Sequence, residues 1–115
     1  MRHKIENVSF KDIYQMYINK VEKKNHTKQE LDQIIIWLTG YNQKELENII
    51  TSKETMQTFF NKAPLINPNA KLIKGVICGH RVELIEDELM QKIRWLDKLV
   101  DELAKGKKID KILRK

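Results

Sequence analysis

The chain has 115 residues, of which 41% are hydrophobic and 33% charged, and its formal net charge is +6. This length predicts one domain over residues 1–115, and the composition is typical of a soluble globular protein. No apolar run approaches the roughly 20 residues of a membrane helix, and the N-terminus lacks the apolar stretch of a signal peptide. One cysteine cannot form an internal disulfide, which favours the reducing cytoplasm.

Helix-forming signals begin in the first half of the chain. Apolar residues recur mostly at intervals of three and four, the spacing of α-helices. Three residues suited to the N-cap are each followed three positions later by an acidic residue, which predicts three helix starts. They are Ser9, Thr27 and Asn42. Gly40 is suited to the left-handed end of the second helix, and a short fourth helix carries Met56, Phe59 and Phe60.

Two more helices are predicted in the second half. Asn67-Pro68 is a good helix start, and the spacing of Leu72, Ile73, Val76 and Ile77 places them on one helical face. With Gly79 at the C-cap position, residues 68–78 are interpreted as a fifth helix. The sixth and longest runs from about 88 to 105, behind the acidic residues 86–88 that favour a helix N-terminus.

The expected fold is therefore all-α: a compact single-domain bundle of five to six helices, with the helix at 88–105 as its spine. Residues 1–8 are expected to be an extended lead-in. Residues 106–115 are expected to form a basic, amphipathic C-terminal segment, because residues 105–115 carry a net charge of +5.

Four stretches of the chain carry a resemblance to a known family. They are WLTGY (37–41), FFNKAPLINP (59–68), GVICGHRVELIEDELMQKIRWLDKL (75–99) and DELAKGK (101–107). In this order they resemble a family of small bacterial proteins known as domain of unknown function 2200, over residues 9–114. The resemblance implies a small, stand-alone, cytoplasmic, helix-rich protein. It implies no activity and no site residues.

The segment 78–87 holds the residues with the most reactive chemistry. On a strand, Cys78 and His80 would share a face and could act as nucleophile and base, with Glu83 nearby. On a helix ending at Cys78 the shared face is lost, and the negative helix end disfavours a thiolate. Catalysis by these residues is therefore the rival hypothesis rather than the leading one. The three histidines are scattered and no metal-ligand spacing occurs, so no metal or cofactor site is predicted.

Polar and aromatic residues offer further binding candidates. Arg81 and Glu86 lie between two predicted helices, where an ion pair at a structural joint is the simpler interpretation. Aromatic side chains could line a small-molecule pocket between helices, with Trp37 and Tyr41 as candidates, but aromatics at helical spacing are more often core. The other aromatics considered are Tyr14, Tyr17 and Trp95.

The basic C-terminus is the best candidate for binding an anionic partner. Lys107, Lys108, Lys111 and Arg114 could contact nucleic acid or an anionic surface. The segment lacks aromatic residues for base stacking, and its apolar residues could instead dock on the core and leave the lysines in solvent. Weak binding of nucleic acid or an anionic surface through this segment is therefore an alternative function, behind the leading hypothesis; association with a membrane is not expected.

The longest helix carries a stripe with alternating spacings of four and three. The stripe consists of Leu89, Ile93, Leu96, Val100 and Leu103. Such a stripe could be a homodimer seam, but it spans only about two heptads, and a core face is the simpler interpretation. Since no convergent catalytic set is evident, the leading hypothesis is a non-enzymatic, cytoplasmic binding or interaction protein of unknown ligand.

Overall fold

The computed structural model describes residues 4–114, and its α-helices confirm the all-α class. Six α-helices occur within these residues, and the longest is α5. They are α1 (Phe10–Glu22), α2 (Lys28–Thr39), α3 (Gln43–Ile50), α4 (Met56–Asn61), α5 (Glu88–Ala104) and α6 (Ile109–Ile112). Three 3-10 turns lie between or before them, at Ile5–Asn7, Pro68–Leu72 and Val82–Leu84.

The predicted helix starts are present with their side-chain caps. The Ser9 hydroxyl accepts a hydrogen bond from the backbone N–H of Asp12. Capping boxes form at Thr27 and at Asn42, each with the glutamate three positions on. Such caps satisfy backbone N–H groups that have no partner within the helix. They explain why the first three helices begin where the sequence predicts.

Helix α5 is the spine of the core. It contacts α1, α2, α4, α6 and strand β1 (Val76–Ile77). Within its apolar stripe Leu89 is partly buried, and the other four residues are fully buried by this chain itself: Ile93, Leu96, Val100 and Leu103. The stripe is therefore a core face of the chain.

A polar network lies between the first three helices. Asp32 is only 3% exposed, and it accepts hydrogen bonds from the Tyr14 hydroxyl, from Lys28 Nζ over 2.7 Å and from Gln43 Nε2 over 2.9 Å. Burial, followed by the hydrogen bond and charge of Asp32, raises the pKa of Tyr14 well above its usual value. Tyr14 therefore stays protonated and stabilises a buried carboxylate.

The predicted helix at 68–78 is wrong. Only Pro68–Leu72 forms a 3-10 turn, and the chain then enters an antiparallel hairpin of β1 and β2 (His80–Arg81), with Val76 opposite Arg81 and Ile77 opposite His80. Gly75 has a φ of +115°, which ends any helical continuation. The apolar spacing that suggested a helical face is also that of a short apolar strand after a turn.

The first and the last described segments of the chain pack against the helical core. The expected extended lead-in contains a 3-10 turn at Ile5–Asn7, and residues 1–3 lie outside the described part of the chain. Next to the turn, Ser9 forms a bridge with Thr55. At the other end Ile112 and Leu113 are buried against the core, while Lys108 and Lys111 are exposed. The apolar residues of the C-terminal segment therefore dock on the core.

Candidate functional site

A cavity lies where four elements from distant parts of the chain meet. It is a groove of about 380 Å³ between the first 3-10 turn, α1, the hairpin and α5. Its lining residues are Ile5, Ile13, Met16, Tyr17, Lys20, Ile77, Cys78, Arg94 and Asp97. The volume falls near the lower end of ligand-binding pockets, so the groove is large enough for a small molecule.

One side of the groove is apolar. Ile5 and Ile77 are partly buried against the core, and Ile13 is buried on the inner face of α1. Met16, one turn further along α1, is 63% exposed at the same wall. Thioether side chains are flexible and adapt to differently shaped apolar ligands. An apolar surface of this kind favours occupation by an apolar group over water.

The other side of the groove carries a hydrogen-bonded set of three side chains. The Tyr17 hydroxyl donates to Asp97 Oδ1, and Arg94 Nη1 donates to Asp97 Oδ2 over 2.7 Å. Burial, with the nearby charge of Asp97, raises the pKa of Tyr17 well above its usual value. Burial alone would lower the pKa of Arg94, but the hydrogen bond and charge of Asp97 outweigh it and raise that pKa. Tyr17 is thus a neutral donor and Arg94 a cation.

Cys78 lies at the edge of this groove, in the hairpin turn. Cys78 and Gly79 have φ values of +53° and +80°. A type I′ turn requires a positive φ at both of its central residues. The Cys78 side chain is exposed, and Arg94 Nη1 donates to its Sγ over 3.4 Å. The expectation that Cys78 ends a helix and lies in the negative field of its C-terminus is therefore wrong.

A second ion-paired set lies one helical turn along α1. Lys20 Nζ is 3.2 Å from Asp101 Oδ1, and Lys105 Nζ is 3.0 Å from Asp101 Oδ2. Burial favours the neutral form of Asp101, but the hydrogen bonds and charges of the two lysines outweigh it and lower its pKa. One carboxylate therefore serves two cations, of which Lys20 also lines the groove.

Within residues 4–114 the three residues of the catalytic hypothesis make no hydrogen bond to one another. His80, an exposed residue of β2, lines a second cavity, of about 500 Å³, which it shares with Arg81 and Glu86 but not with Cys78. Glu83 Oε1 accepts from the backbone N–H of Gly75 over 3.0 Å, and its Oε2 accepts from Arg81 Nε over 2.9 Å.

These hydrogen bonds make Glu83 part of the hairpin. The bond from the Gly75 amide, with a smaller contribution from Arg81, lowers the pKa of Glu83 to about 2. Its carboxylate is thus ionised across the physiological range and is occupied by the two ends of the hairpin. The interpretation of Arg81 as half of an ion pair at a structural joint fits this placement, with Glu83 as its partner.

The two aromatic candidates take structural places away from both cavities. Tyr41 is buried and its hydroxyl donates to the Phe59 carbonyl over 2.6 Å. Burial, with smaller effects of Glu54 and Glu45, raises the pKa of Tyr41 to about 12. Trp37 is partly buried and its carbonyl accepts from Asn67 Nδ2 over 3.3 Å. Of the aromatics considered from sequence, Tyr17 is the one that lines the groove.

The basic C-terminal candidates divide into two pairs. Arg114 makes a two-pronged ion pair with Glu102, and Lys107 Nζ lies 3.8 Å from the same carboxylate. Lys108 and Lys111 are exposed. Two of the four cations therefore face a carboxylate of α5, which reduces the positive charge that this segment offers to an anionic partner.

Within residues 4–114, no three histidine, cysteine, aspartate or glutamate side chains come together in a way that could hold a metal ion. In the same part of the chain, no helix combines the length and the apolar character needed to cross a membrane.

Sequence reasoning missed three of the polar groove residues: Lys20, Arg94 and Asp97. Arg94 and Asp97 are three positions apart on α5, which is a spacing at which side chains of a helix meet. Arg94 is also one of only four arginines in the sequence. The sequence alone could therefore have indicated an ion pair between Arg94 and Asp97. Their meeting with Tyr17 and Cys78 depends on packing between α1, α5 and the hairpin, for which the sequence offers no local pattern.

The fold and the groove together define a small all-α protein with a ligand-sized surface cavity at one polar cluster. Residues 4–114 match the family described as "Uncharacterized protein conserved in bacteria (DUF2200)". The chain therefore belongs to this bacterial family, and the resemblance noted from its sequence is confirmed.

A solved structure agrees with this assignment. The chain is similar to the protein described as "Crystal structure of uncharacterized protein SP1917", with a TM-score of 0.92 and 42% sequence identity over 98% of this chain and 93% of that chain. Among curated proteins no match to the chain is found. Neither of the two descriptions names an activity, a ligand or a partner.

Proposed function

We propose that this chain is a small, non-enzymatic binding protein of the bacterial cytoplasm, and that its ligand site is the groove. The observation that carries the proposal is the groove's composition: apolar residues from three separate elements line it, and one cluster of polar side chains lies beside them. Ligand pockets commonly combine apolar walls with a few polar groups that orient the ligand.

The arrangement of the polar side chains favours binding over catalysis. Both oxygens of Asp97 already accept hydrogen bonds, one from Tyr17 and one from Arg94. A general base needs a free acceptor within reach of the proton it removes, and the imidazole of His80 in the hairpin lines a different cavity. The enzyme hypothesis therefore has less geometric support than the binding hypothesis.

The cytoplasmic location is proposed from the cysteine. Cys78 is free and exposed, and exposed thiols persist where glutathione and thioredoxin keep them reduced. This observation supports a reducing compartment and is independent of the groove.

Alkylation of Cys78 by iodoacetamide tests the groove as a binding site. Cys78 is the only cysteine and it lines the groove, so a ligand there should shield it. We expect 1-octanol, a neutral apolar probe, to slow alkylation in a saturable manner. In denaturant the probe should have no effect. If octanol never slows the reaction in the folded protein, the groove is not an apolar binding site.

A matched pair of variants localises the effect. Met16→Glu places a charge on the apolar wall, and Leu72→Glu makes the same change at another exposed apolar residue, 54% exposed, that does not line the groove. We expect Met16→Glu to abolish the protection of Cys78 and Leu72→Glu to retain it. Equal behaviour of the two variants would contradict binding in the groove.

A further inference from the structure

We infer that the groove binds a small molecule with an apolar tail and a single anionic headgroup, with the tail against Ile5, Ile13 and Ile77 and the headgroup at Arg94. This inference deepens the proposed function and rests on it. It assigns a chemical class to the ligand, which the groove's apolar character alone does not.

Charge balance around the groove favours an anionic headgroup. The charged side chains that line the groove are Lys20, Arg94 and Asp97. Arg94 is paired with Asp97, and Lys20 shares the carboxylate of Asp101 with Lys105; these last two lie outside the lining. The two ion-paired sets hold three cations and two carboxylates, and an anionic headgroup beside Lys20 and Arg94 would neutralise the excess positive charge.

Arg94 has N–H donors that no acceptor in the described part of the chain uses. Among the hydrogen bonds within residues 4–114, Arg94 donates only through Nη1, to Asp97 and Cys78. Its Nη2 and Nε groups are therefore left to donate to a ligand. A guanidinium has five N–H donors in a planar fork that matches a carboxylate or phosphate.

Asp97 is not a rival site for a cation. Its two oxygens are engaged by Tyr17 and Arg94, and the adjacent guanidinium compensates its charge. A cationic headgroup would have to approach Arg94 and Lys20 with no carboxylate left free for it. The groove therefore discriminates against cationic ligands of the same length.

The size of the groove restricts the ligand to a short chain. A volume of about 380 Å³ equals that of about a dozen water molecules in the liquid. An eight-carbon chain with one headgroup is a suitable probe of this size. It also allows headgroups to be exchanged while the tail is kept constant.

The test compares octanoate, 1-octanol and octylammonium with the wild-type protein, by two-dimensional NMR titration of backbone amides. We expect octanoate to bind about fivefold more tightly than octanol, the range of one exposed ion pair, and octylammonium to bind most weakly. The advantage of octanoate should shrink at about 0.5 M salt, because salt screens exposed charges. Shifts should centre on residues 13–20 and 77–78.

The outcomes separate this inference from the proposed function. If octanol binds in the groove as tightly as octanoate, or if octylammonium binds most tightly, the anionic ligand is excluded while the groove remains a binding site. If none of the three shifts the groove residues, the proposed function and the inference both fail.

Variants test the role of Arg94. Arg94→Gln should remove the preference for octanoate over octanol, whereas Lys44→Gln removes an exposed positive charge on α3, outside the groove, and should leave the preference unchanged. Loss of the preference in both variants would mean that net charge rather than Arg94 selects the anion. Should Arg94→Gln not fold, the ranking of the three probes on the wild-type protein decides the question alone.

Discussion

The guanidinium of Arg114 donates two hydrogen bonds to the carboxylate of Glu102, from Nη1 to Oε1 over 2.7 Å and from Nη2 to Oε2 over 2.8 Å. Both side chains are largely buried. The pair joins the end of the described chain to α5. The same contact gives the arginine of the basic C-terminal segment a structural role.

Removing this arginine should destabilise the protein. Arg114→Gln leaves Glu102, which is 8% exposed, without its two-pronged partner. We expect a loss of about 1–3 kcal/mol in the free energy of unfolding, the cost of leaving a buried polar group unsatisfied, measured by urea denaturation. Lys108→Gln, an exposed change in the same segment, should alter that free energy by no more than about 0.5 kcal/mol. Equal losses in the two variants would argue against the ion pair.

Two tyrosines offer a comparison of charged and neutral acceptors. Tyr14 donates to the buried carboxylate of Asp32, and Tyr41 donates to the carbonyl of Phe59. Tyr14→Phe should cost about 1.5–3 kcal/mol of unfolding free energy and Tyr41→Phe about 0.5–1.5 kcal/mol, because bonds to charged groups contribute more. Both are the same chemical change at buried sites. Chemical denaturation that ranks Tyr41→Phe as the more costly variant would refute the ordering.

Two glycines with nearly the same φ allow the cost of backbone strain to be distinguished from the cost of steric crowding. Gly40 and Gly79 have φ values of +79° and +80°. A Cβ at Gly40 would lie 3.0 Å from the backbone N and O of Leu65, whereas a Cβ at Gly79 would meet nothing within 4 Å. Gly79→Ala should cost about 1–2 kcal/mol, the strain of a left-handed residue.

Gly40→Ala should cost about 1–3 kcal/mol more than Gly79→Ala, because the backbone at Leu65 must shift. Thermal unfolding of the two variants side by side provides the comparison. Equal losses of stability in the two variants would show that the backbone around Leu65 shifts at no cost in free energy, and would exclude steric crowding as the explanation.

The hairpin should show a specific response to acid. The pKa of Glu83 is lowered from 4.5 to about 2 by the Gly75 amide and Arg81. Since the folded-state pKa lies below the unfolded value, the unfolded chain takes up this proton first as the pH falls. The stabilisation from Glu83 is therefore complete above about pH 4.5 and declines between pH 4.5 and 2.

The Gly75 amide proton is the local reporter of this titration. Its NMR shift should titrate with a midpoint near 2, the pKa of its acceptor. In Glu83→Gln the titration should vanish, and the fall in stability between pH 4.5 and 2 should become shallower. A midpoint near 4.5 in the wild-type protein would show that the carboxylate is not held by the hairpin.

The helical part of the fold was predictable because its signals are local. The N-caps at Ser9, Thr27 and Asn42 and the left-handed Gly40 act within one turn of the chain, and each appears in the structure as expected. The spine at α5 was predictable for the same reason, since its apolar period and its acidic start lie within a single segment.

The hairpin was missed because its decisive feature is not encoded by residue type. A type I′ turn usually places Asn or Asp before Gly, and here Cys78 takes the position with a φ of +53°. Non-glycine residues rarely adopt such a conformation. The strands are two residues long, too short to show an alternating pattern. The apolar spacing around Gly75 consequently suggested a helix.

The groove was less predictable than the helices or the hairpin, because no single segment of the sequence contains the residues that form it. Its walls come from residues near 5, 13–20, 77 and 94–97. Cys78 was singled out from sequence for its chemistry, and it does lie at the groove. Its neighbours there, Arg94 and Tyr17, are brought to it by the packing of three elements rather than by any motif.

The position of the spine after the helices that it contacts has a consequence for biosynthesis. Helix α5 contacts α1, α2 and α4, but its residues, 88–104, are translated after all of theirs. The apolar surfaces of α1, α2 and α4 that pack on α5 must therefore stay uncovered until residues 88–104 have been synthesised. A nascent chain arrested before residue 88 would expose these surfaces and would be a substrate for chaperones.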